Sequence, residues 1–288
     1  MIRKAVIPAA GFGTRVLPMT KAVPKEMLPI VDKPSIQYIV EECVKSGITD
    51  ILIITTRGKE AMENHFDRSP ELEKALMKPG KEAILREVTG ISELANVFFL
   101  RQKEARGLGH AILCAKEFTG DEPFMVLYPD DLIFGDVPVA KQLIDVYEEF
   151  GKACVGIKDV PPADISKYSS LKIDNIRDNV YRVTDMIEKP AKGQEYSLYS
   201  VLGRCLLTPD IYPILEETKP GAGGEIQLTD AMKVMAQQGK MNAVDFIGKR
   251  YDMGNKLGFL MANVEQGAKH PEIGEAFKAY LKDYVKTL

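Results

Sequence analysis

The chain has 288 residues, 45 % of them hydrophobic and 27 % charged, and its 38 Lys plus Arg against 41 Asp plus Glu leave a net charge of −3. That length holds one large α/β domain or two small ones around a sizeable core, and the composition is that of an ordinary globular protein. A slightly acidic chain excludes a broad basic face for nucleic acid, so any phosphate it binds must meet local positive charge.

The opening run MIRKAVIPAAG is too short and too soon interrupted for a signal peptide. No apolar stretch approaches the length of a membrane span. The four cysteines, Cys43, Cys114, Cys154 and Cys205, form no CxxC pair and read as buried reduced thiols. Together these features predict a cytoplasmic protein with no membrane partner.

In chain order, Ala5 to Pro8 reads as a short strand that runs into a glycine-rich turn. Pro8, Pro18, Pro24, Pro29 and Pro34 then exclude a long helix and predict a structured loop. PSIQYIVEECVKSG places Ile36, Ile39, Val40, Cys43 and Val44 at helical spacing, and Asp50 to Thr55 follows as a buried strand. Strand, helix and strand at these lengths predict a βαβ unit with a parallel sheet. Residues 59–95 read as mainly helical, Val97 to Leu100 as a strand, Gly109 to Phe118 as a helix and Phe124 to Tyr128 as a central strand. Beyond Gly151, strands are expected at Cys154 to Ile157, Ser170 to Ile173, Val180 to Ile187 and Tyr199 to Leu207, and helices at Pro209 to Glu217 and Thr229 to Gln238. Ile273, Phe277, Tyr280, Leu281, Tyr284 and Val285 predict an amphipathic helix within residues 271–288, packed on a neighbour. No repeat and no Gly/Ser-rich linker cuts the chain. It is expected to form one unit over 1–288, with halves at about 1–135 and about 136–260.

The chemistry centres on Ala9-Ala10-Gly11-Phe12-Gly13-Thr14-Arg15. Glycines let backbone amides approach an anion, successive amides form a nest, and Arg15 adds a planar set of donors. Lys25 can fold back over the same anion. A dinucleotide fold would need a third glycine where Val16 stands and a helix directly after the loop, which Pro18, Pro24 and Pro29 disfavour. A Walker loop would need GxxxxGK before Ser or Thr, which is absent. A turn without a ligand is the remaining alternative, and Arg15, Lys25 and the proline-ordered loop argue for phosphate instead.

The run GFGTRVLPMTKAVPKEMLPIVDKP resembles the signature of the bacterial sugar-phosphate nucleotidyltransferases. PKEMLP and DKPSIQY are most similar to the branch of UTP–glucose-1-phosphate uridylyltransferases. RQKEARGLGHA at 101–111, the strand end at Asp130, Glu188-Lys189-Pro190, GAGGEIQLTDA at 221–231 and YDMGNKLGF at 251–259 follow in the family's order, so the resemblance covers nearly the whole chain. It implies a Rossmann-like α/β fold with a central mixed, mostly parallel sheet flanked by helices. It also implies UTP and glucose 1-phosphate as substrates, UDP-glucose and pyrophosphate as products, Mg²⁺ as cofactor and a homodimer or homotetramer.

A sugar phosphate oxygen is already anionic at neutral pH, so this reaction needs no general base, in keeping with three histidines and no Ser-His-Asp signature. Positioning and electrostatics carry such phosphoryl chemistry. The resemblance makes Arg15, Lys25, Asp130 and Lys189 catalytic. It puts Ala9, Ala10, Gly11, Gly13, Thr14, Arg15, Glu26, Gln102 and Gly107 around the nucleotide, and Asp131, Ser169, Glu188, Lys189 and Val201 around the sugar phosphate. Asp130, with Asp252 as second ligand, would hold the metal. Plain alternatives stand beside these roles: a strand-capping turn for Asp130-Asp131 and an exposed amide for Gln102. For His110 a structural role is expected, and for the charge run Lys74 to Glu87 a solvated helix face.

Three family words are altered. Ser169 and Ser170 follow Tyr168 where relatives have glycine and an aliphatic residue, Glu195 to Ser200 lacks the family's asparagine, and Met253 replaces a small residue. All lie on or beside the sugar side, so nucleotide chemistry is expected to be retained while sugar choice is altered or relaxed. Thymidylyl transfer, another sugar 1-phosphate, or a catalytically weak regulator that binds UDP-sugar are the competing readings.

Overall fold

The fold is a computed structural model that describes residues 1–288, the side chain of Ala222 excepted. Thirteen strands occur among the described residues: β1 (Lys4–Pro8), β2 (Pro29–Ile30), β3 (Lys33–Pro34), β4 (Asp50–Thr55), β5 (Asn96–Arg101), β6 (Phe124–Leu127), β7 (Asp131–Phe134), β8 (Ala153–Asp159), β9 (Ser169–Arg177), β10 (Val180–Glu188), β11 (Tyr199–Leu207), β12 (Met241–Asp245) and β13 (Lys249–Asp252). Nine of them form one sheet in the order β5-β4-β1-β6-β11-β8-β12-β10-β9. β10 and β11 run against the other seven, so the sheet is mixed and mostly parallel, as expected.

Helices cover both faces because the central strands are apolar on both. On β1, Ala5 and Ile7 enter one core cluster and Val6 the other. β4 and β6 divide in the same way, with Ile51, Ile53, Met125 and Leu127 on one face and Leu52, Ile54, Phe124 and Val126 on the other. The helices Ser35–Lys45 and Val139–Phe150 pack on the first face, and Leu108–Leu113, Ile211–Glu217 and Leu228–Gln237 on the second. One ion pair crosses the first interface: Arg204 on β11 is 0 % exposed and donates from Nε and a terminal nitrogen to Glu42 at 2.9 and 2.6 Å. Glu42 also accepts the amide of Ala140 at 3.0 Å, which satisfies a first-turn donor of the helix Val139–Phe150.

Most expected elements appear within a few residues of their anticipated ends. The five-proline stretch is a structured loop, built from three one-turn 3-10 segments and the hairpin β2–β3. Two expectations change. The helix anticipated from Gly109 to Phe118 is two pieces, Leu108–Leu113 and Lys116–Thr119, because the amide of Ala115 bonds the carbonyl three residues back at Ile112 and tightens the turn. Residues 59–95 form three helices, Glu60–Phe66, Pro70–Leu76 and Glu82–Ser92, interrupted before Pro70 and at the turn around Gly80. The C-terminal helix is Gly274–Val285; Phe277 touches Gly267, while Tyr280 is 60 % exposed and Tyr284 and Val285 are exposed too. No helix of the described residues is long and apolar enough to cross a membrane.

Candidate active site

The site forms where β1, β4 and β6 end, at the carboxyl edge of the parallel strands, which is where open α/β sheets gather ligands. The amide of Ala9 continues the β1 ladder to Ile54 at 2.7 Å, and the chain then leaves the sheet as the glycine loop. Gly13 adopts φ 69°, and its carbonyl accepts the Thr20 hydroxyl at 2.8 Å, so the loop folds back on itself. The following 3-10 turn, Thr14–Val16, carries Arg15 to within 3.2 Å of Asp130 and 3.5 Å of Asp252. A second turn, Lys25–Met27, brings Lys25 to 2.7 Å from Asp130.

Asp130 is therefore held by two cations. Burial would raise its carboxyl, but Lys25 and Arg15 outweigh that and hold it below the usual range. Burial likewise opposes charge on Lys25, yet Asp130 and Glu26 raise its ammonium above the ordinary value. Asp131 points elsewhere: it is 6 % exposed, and its Oδ1 accepts Nε of Arg250 at 2.6 Å and a second Arg250 nitrogen. Burial pushes Asp131 up to about 6; Arg250 pulls it down, and the charges of Asp130 and Asp252 add to the rise.

Two cavities meet at Asp130. One, of about 390 Å³, is lined by Ala10, Gly11, Phe12, Thr14, Lys25, Gln102 and Gly107, with Glu225 the one lining residue beyond Asp130 in the chain. The other, of about 600 Å³, is lined by Arg15, Asp131, Lys167, Tyr168, Ser169, Glu188, Lys189, Val201, Thr229, Arg250 and Asp252. Leu108, Tyr128 and Asp130 line both. The first cavity offers loop backbone, the Gln102 amide and the Lys25 ammonium. The second carries two unlike charges side by side at Glu188 and Lys189.

Residues 4–282 match the nucleotidyl transferase family. The chain belongs to that family. It is 50 % identical over 285 residues to a UTP–glucose-1-phosphate uridylyltransferase of Bacillus subtilis, an alignment that spans 99 % of this chain and 96 % of that one. Among solved structures, a UTP-bound UDP-glucose pyrophosphorylase of Acinetobacter baumannii superposes with a TM-score of 0.90 at 37 % identity, over 98 % of this chain and 99 % of that one. A UDP-glucose pyrophosphorylase complexed with UDP-glucose superposes with a TM-score of 0.86 at 42 % identity, over 94 % of this chain and 100 % of that one.

Against this nucleotidyl transferase frame, most residues singled out in the sequence line one of the two cavities, and three do not. Ala9 is buried just past the end of β1, and its carbonyl accepts from Lys59 at 2.6 Å. Gly13 shapes the loop without lining the cavity. Glu26 corrects an expectation: it does not line the first cavity, where a nucleotide contact was expected of it, because it is 1 % exposed and both its oxygens accept from Lys59, at 2.9 and 2.8 Å. Burial dominates both partners, raising Glu26 and lowering Lys59. The pair ties the turn that carries Lys25 to the end of β1, so Glu26 supports the site from behind.

Gln102 is buried, and its side-chain nitrogen donates to the carbonyl of Gly107 at 3.1 Å and lies 2.9 Å from Nδ1 of His110. His110 thus has a side-chain partner in Gln102, which a structural role for it requires. Gly107 sits at φ 95° and ψ 176°, a region that only glycine occupies freely. A Cβ there would lie 2.7 Å from that of Glu225 and 2.8 Å from the carbonyl of Ile226. Gly107→Ala is expected to lower stability by about 2–3 kcal/mol, measured by urea unfolding, through backbone strain together with that clash. An unchanged midpoint would show that the segment yields at no cost.

Glu188 accepts the Thr229 hydroxyl at 2.8 Å; burial raises its carboxyl, with that bond opposing. Lys189 follows β10 with φ 46°, unusual for a non-glycine residue, and its amide donates to Tyr168 at 2.9 Å. Arg250, Lys59, Lys167 and Thr229 were not singled out from the sequence. Each is a lone side chain made relevant by a distant partner, although Thr229 lies inside the GAGGEIQLTDA word and Arg250 directly precedes YDMGN.

Proposed function

We propose that this chain transfers a uridylyl group from UTP to glucose 1-phosphate, forming UDP-glucose and pyrophosphate with Mg²⁺. The observation that carries the reading is the meeting of the two cavities at Asp130, which pairs with Lys25 from the first cavity and Arg15 from the second. One anionic oxygen of the sugar phosphate attacks the α-phosphorus, the bond to the pyrophosphate oxygen breaks, and no proton needs to move. The first cavity takes UTP, its uracil against Gln102 and Gly107 and its phosphates toward Lys25 and Arg15. The second takes the sugar phosphate, with Lys189 on the phosphate and Glu188, oriented by Thr229, on sugar hydroxyls. Arg15 and Lys25 neutralise Asp130 before substrate arrives and turn to the triphosphate when it binds.

The donor set fits a hard cation. Asp130 and Asp252 converge on the same guanidinium, and among the described residues no third His, Cys, Asp or Glu joins them as a metal cluster. Two carboxylates with the remaining positions left to phosphate oxygens and water is the arrangement Mg²⁺ favours. When bound there, Mg²⁺ would neutralise charge on the transferring and leaving phosphates.

The altered words bear on the sugar. Ser169 accepts the amide of Val201 at 3.1 Å, and Ser170 accepts the amides of Tyr196 and Ser197 at 2.9 and 3.1 Å. The two departures therefore bond one another within the wall, and glucose as the sugar is supported by the relatives described above. A pyrophosphate-release assay pairing UTP or dTTP with glucose, galactose, mannose and N-acetylglucosamine 1-phosphates tests this. UTP with glucose 1-phosphate is expected to exceed every other pair by about tenfold or more in kcat/KM, the scale on which a few misplaced hydroxyl contacts discriminate. A different best pair would overturn the substrate assignment.

Gln102→Ala is expected to raise KM for UTP about tenfold, the loss of one or two hydrogen bonds, with kcat much less affected. A fall in kcat at constant KM would place Gln102 at the reacting phosphates instead. The reading also includes a cytoplasmic homodimer or homotetramer. Four free thiols support the compartment, and the exposed Tyr280, Tyr284 and Val285 of the C-terminal helix support association, which light scattering measures.

A further inference from the structure

We propose that Arg250 is a positioning residue that sets the separation of the Asp130 and Asp252 carboxylates and so tunes the affinity of the site for a divalent cation; this rests on the cation site proposed above. Asp130 and Asp252 are far apart in sequence, and the antiparallel pair β7–β13 unites them. In its register Asp131 lies opposite Asp252 and Ile133 opposite Arg250. Residues directly opposite share a face, and so do residues two apart on one strand, so Asp131, Arg250 and Asp252 project from one face.

Two carboxylates directly opposite in a ladder repel one another. Arg250 stands diagonal to Asp131 and takes its Oδ1 with two nitrogens. That contact draws Asp131 along the face and away from Asp252. On its other side Asp131 rests against Gly203, where a Cβ would lie 2.6 Å from the Cβ of Asp131 and 3.0 Å from its Oδ2. Asp131 is thus clamped between β11 and the Arg250 guanidinium, itself packed 5.5 Å from the centre of the Tyr168 ring. Asp252 keeps Oδ1 on the amide of Gly254 at 2.7 Å and turns Oδ2 toward Arg15. The amide of Met253 donates to the carbonyl of Asp130 at 2.8 Å and extends the junction by one bond. The Asp131–Arg250 contact therefore bridges the two strands whose ends carry Asp130 and Asp252, and partners of this kind around a metal site change affinity about 10–100-fold when removed.

The test counts Mn²⁺ bound to the UTP-loaded protein by the electron paramagnetic resonance signal of the free ion. The proteins are wild type, Asp130→Asn, Arg250→Lys, Arg250→Met and the double variant Asp131→Asn with Arg250→Met, which leaves no charge buried alone. Arg250→Met and the double variant are expected to bind Mn²⁺ about 10–100-fold more weakly, and Arg250→Lys to fall between them and wild type. Wild-type affinity in the double variant overturns the proposal, as does tighter binding in Arg250→Met, which would show Asp131 joining the site. An increase only in KM for the sugar phosphate, with Mn²⁺ affinity unchanged, also overturns it. If Asp130→Asn binds Mn²⁺ as wild type does, the cation site itself is wrong; if Asp130→Asn alone loses binding, the site stands and the role of Arg250 fails.

Discussion

Replacing Asp130 with asparagine is expected to lower kcat/KM by about 10³-fold or more, a loss of about 4 kcal/mol in transition-state stabilisation, while the protein stays folded. The side chain keeps its shape, so the surrounding fold is little disturbed. What changes is charge. Asp130 is the one residue with a charged group that lines both cavities, and it holds Lys25 at 2.7 Å and Arg15 at 3.2 Å. Asparagine cannot anchor either cation as an anion, and it is a weak partner for a hard metal ion. Lys25 is partly buried, and Asp130 is the strongest influence sustaining its charge against desolvation. The substitution therefore weakens both the proposed cation site and the positive charge proposed to meet the triphosphate. Steady-state kinetics with varied Mg²⁺, beside circular dichroism and thermal unfolding, separates this from misfolding. Turnover within about tenfold of wild type in a folded variant would remove Asp130 from the chemistry.

Glu42→Ala is expected to destabilise the fold by about 3–5 kcal/mol without touching either cavity wall. Arg204 is 0 % exposed and gives two of its bonds to Glu42; its remaining bond goes to the carbonyl of Gly203 at 2.8 Å. Without Glu42 a guanidinium stays buried without its paired carboxylate, left with only the more distant charge of Asp131, and the amide of Ala140 loses its acceptor. A buried pair is weak evidence for net stability, but removing one partner is costly because the other charge remains. The double variant Glu42→Ala with Arg204→Met removes both charges and is expected to recover part of the loss, a coupling that a double-mutant cycle reads from urea midpoints. A single variant within about 1 kcal/mol of wild type would show that water or another group reaches Arg204. Because Gly203 also backs Asp131, the single variant should lose activity as it loses stability.

The nucleotide side was legible because its chemistry is local. Gly11, Gly13 and Arg15 lie within five residues, prolines fix the loop that returns Lys25, and Asp130 follows an unmistakably apolar strand. The two-sided apolar strands made the layered α/β class readable as well. Strand order was not readable: β11 inserts between β6 and β8 and runs against both, a choice made by contacts distant in sequence. The same holds for Arg250, which acts through a carboxylate 119 positions away, and for Lys59, which takes the carboxylate expected to reach the nucleotide. Ion pairs of this kind have no period and no spacing rule, so only the folded chain reveals them. Ser170 shows a further case: it departs from the family word, yet its hydroxyl bonds the other altered word and not the cavity.

The central claim is direct transfer from one cavity to the other across Asp130. Product analysis with UTP, glucose 1-phosphate and Mg²⁺, following UDP-glucose by mass spectrometry and pyrophosphate by a coupled assay, tests it most directly. Direct transfer yields the two products in equal amounts, and no pyrophosphate when the sugar phosphate is left out. A burst of pyrophosphate from UTP alone would mean that a protein group takes the uridylyl first, and would contradict it.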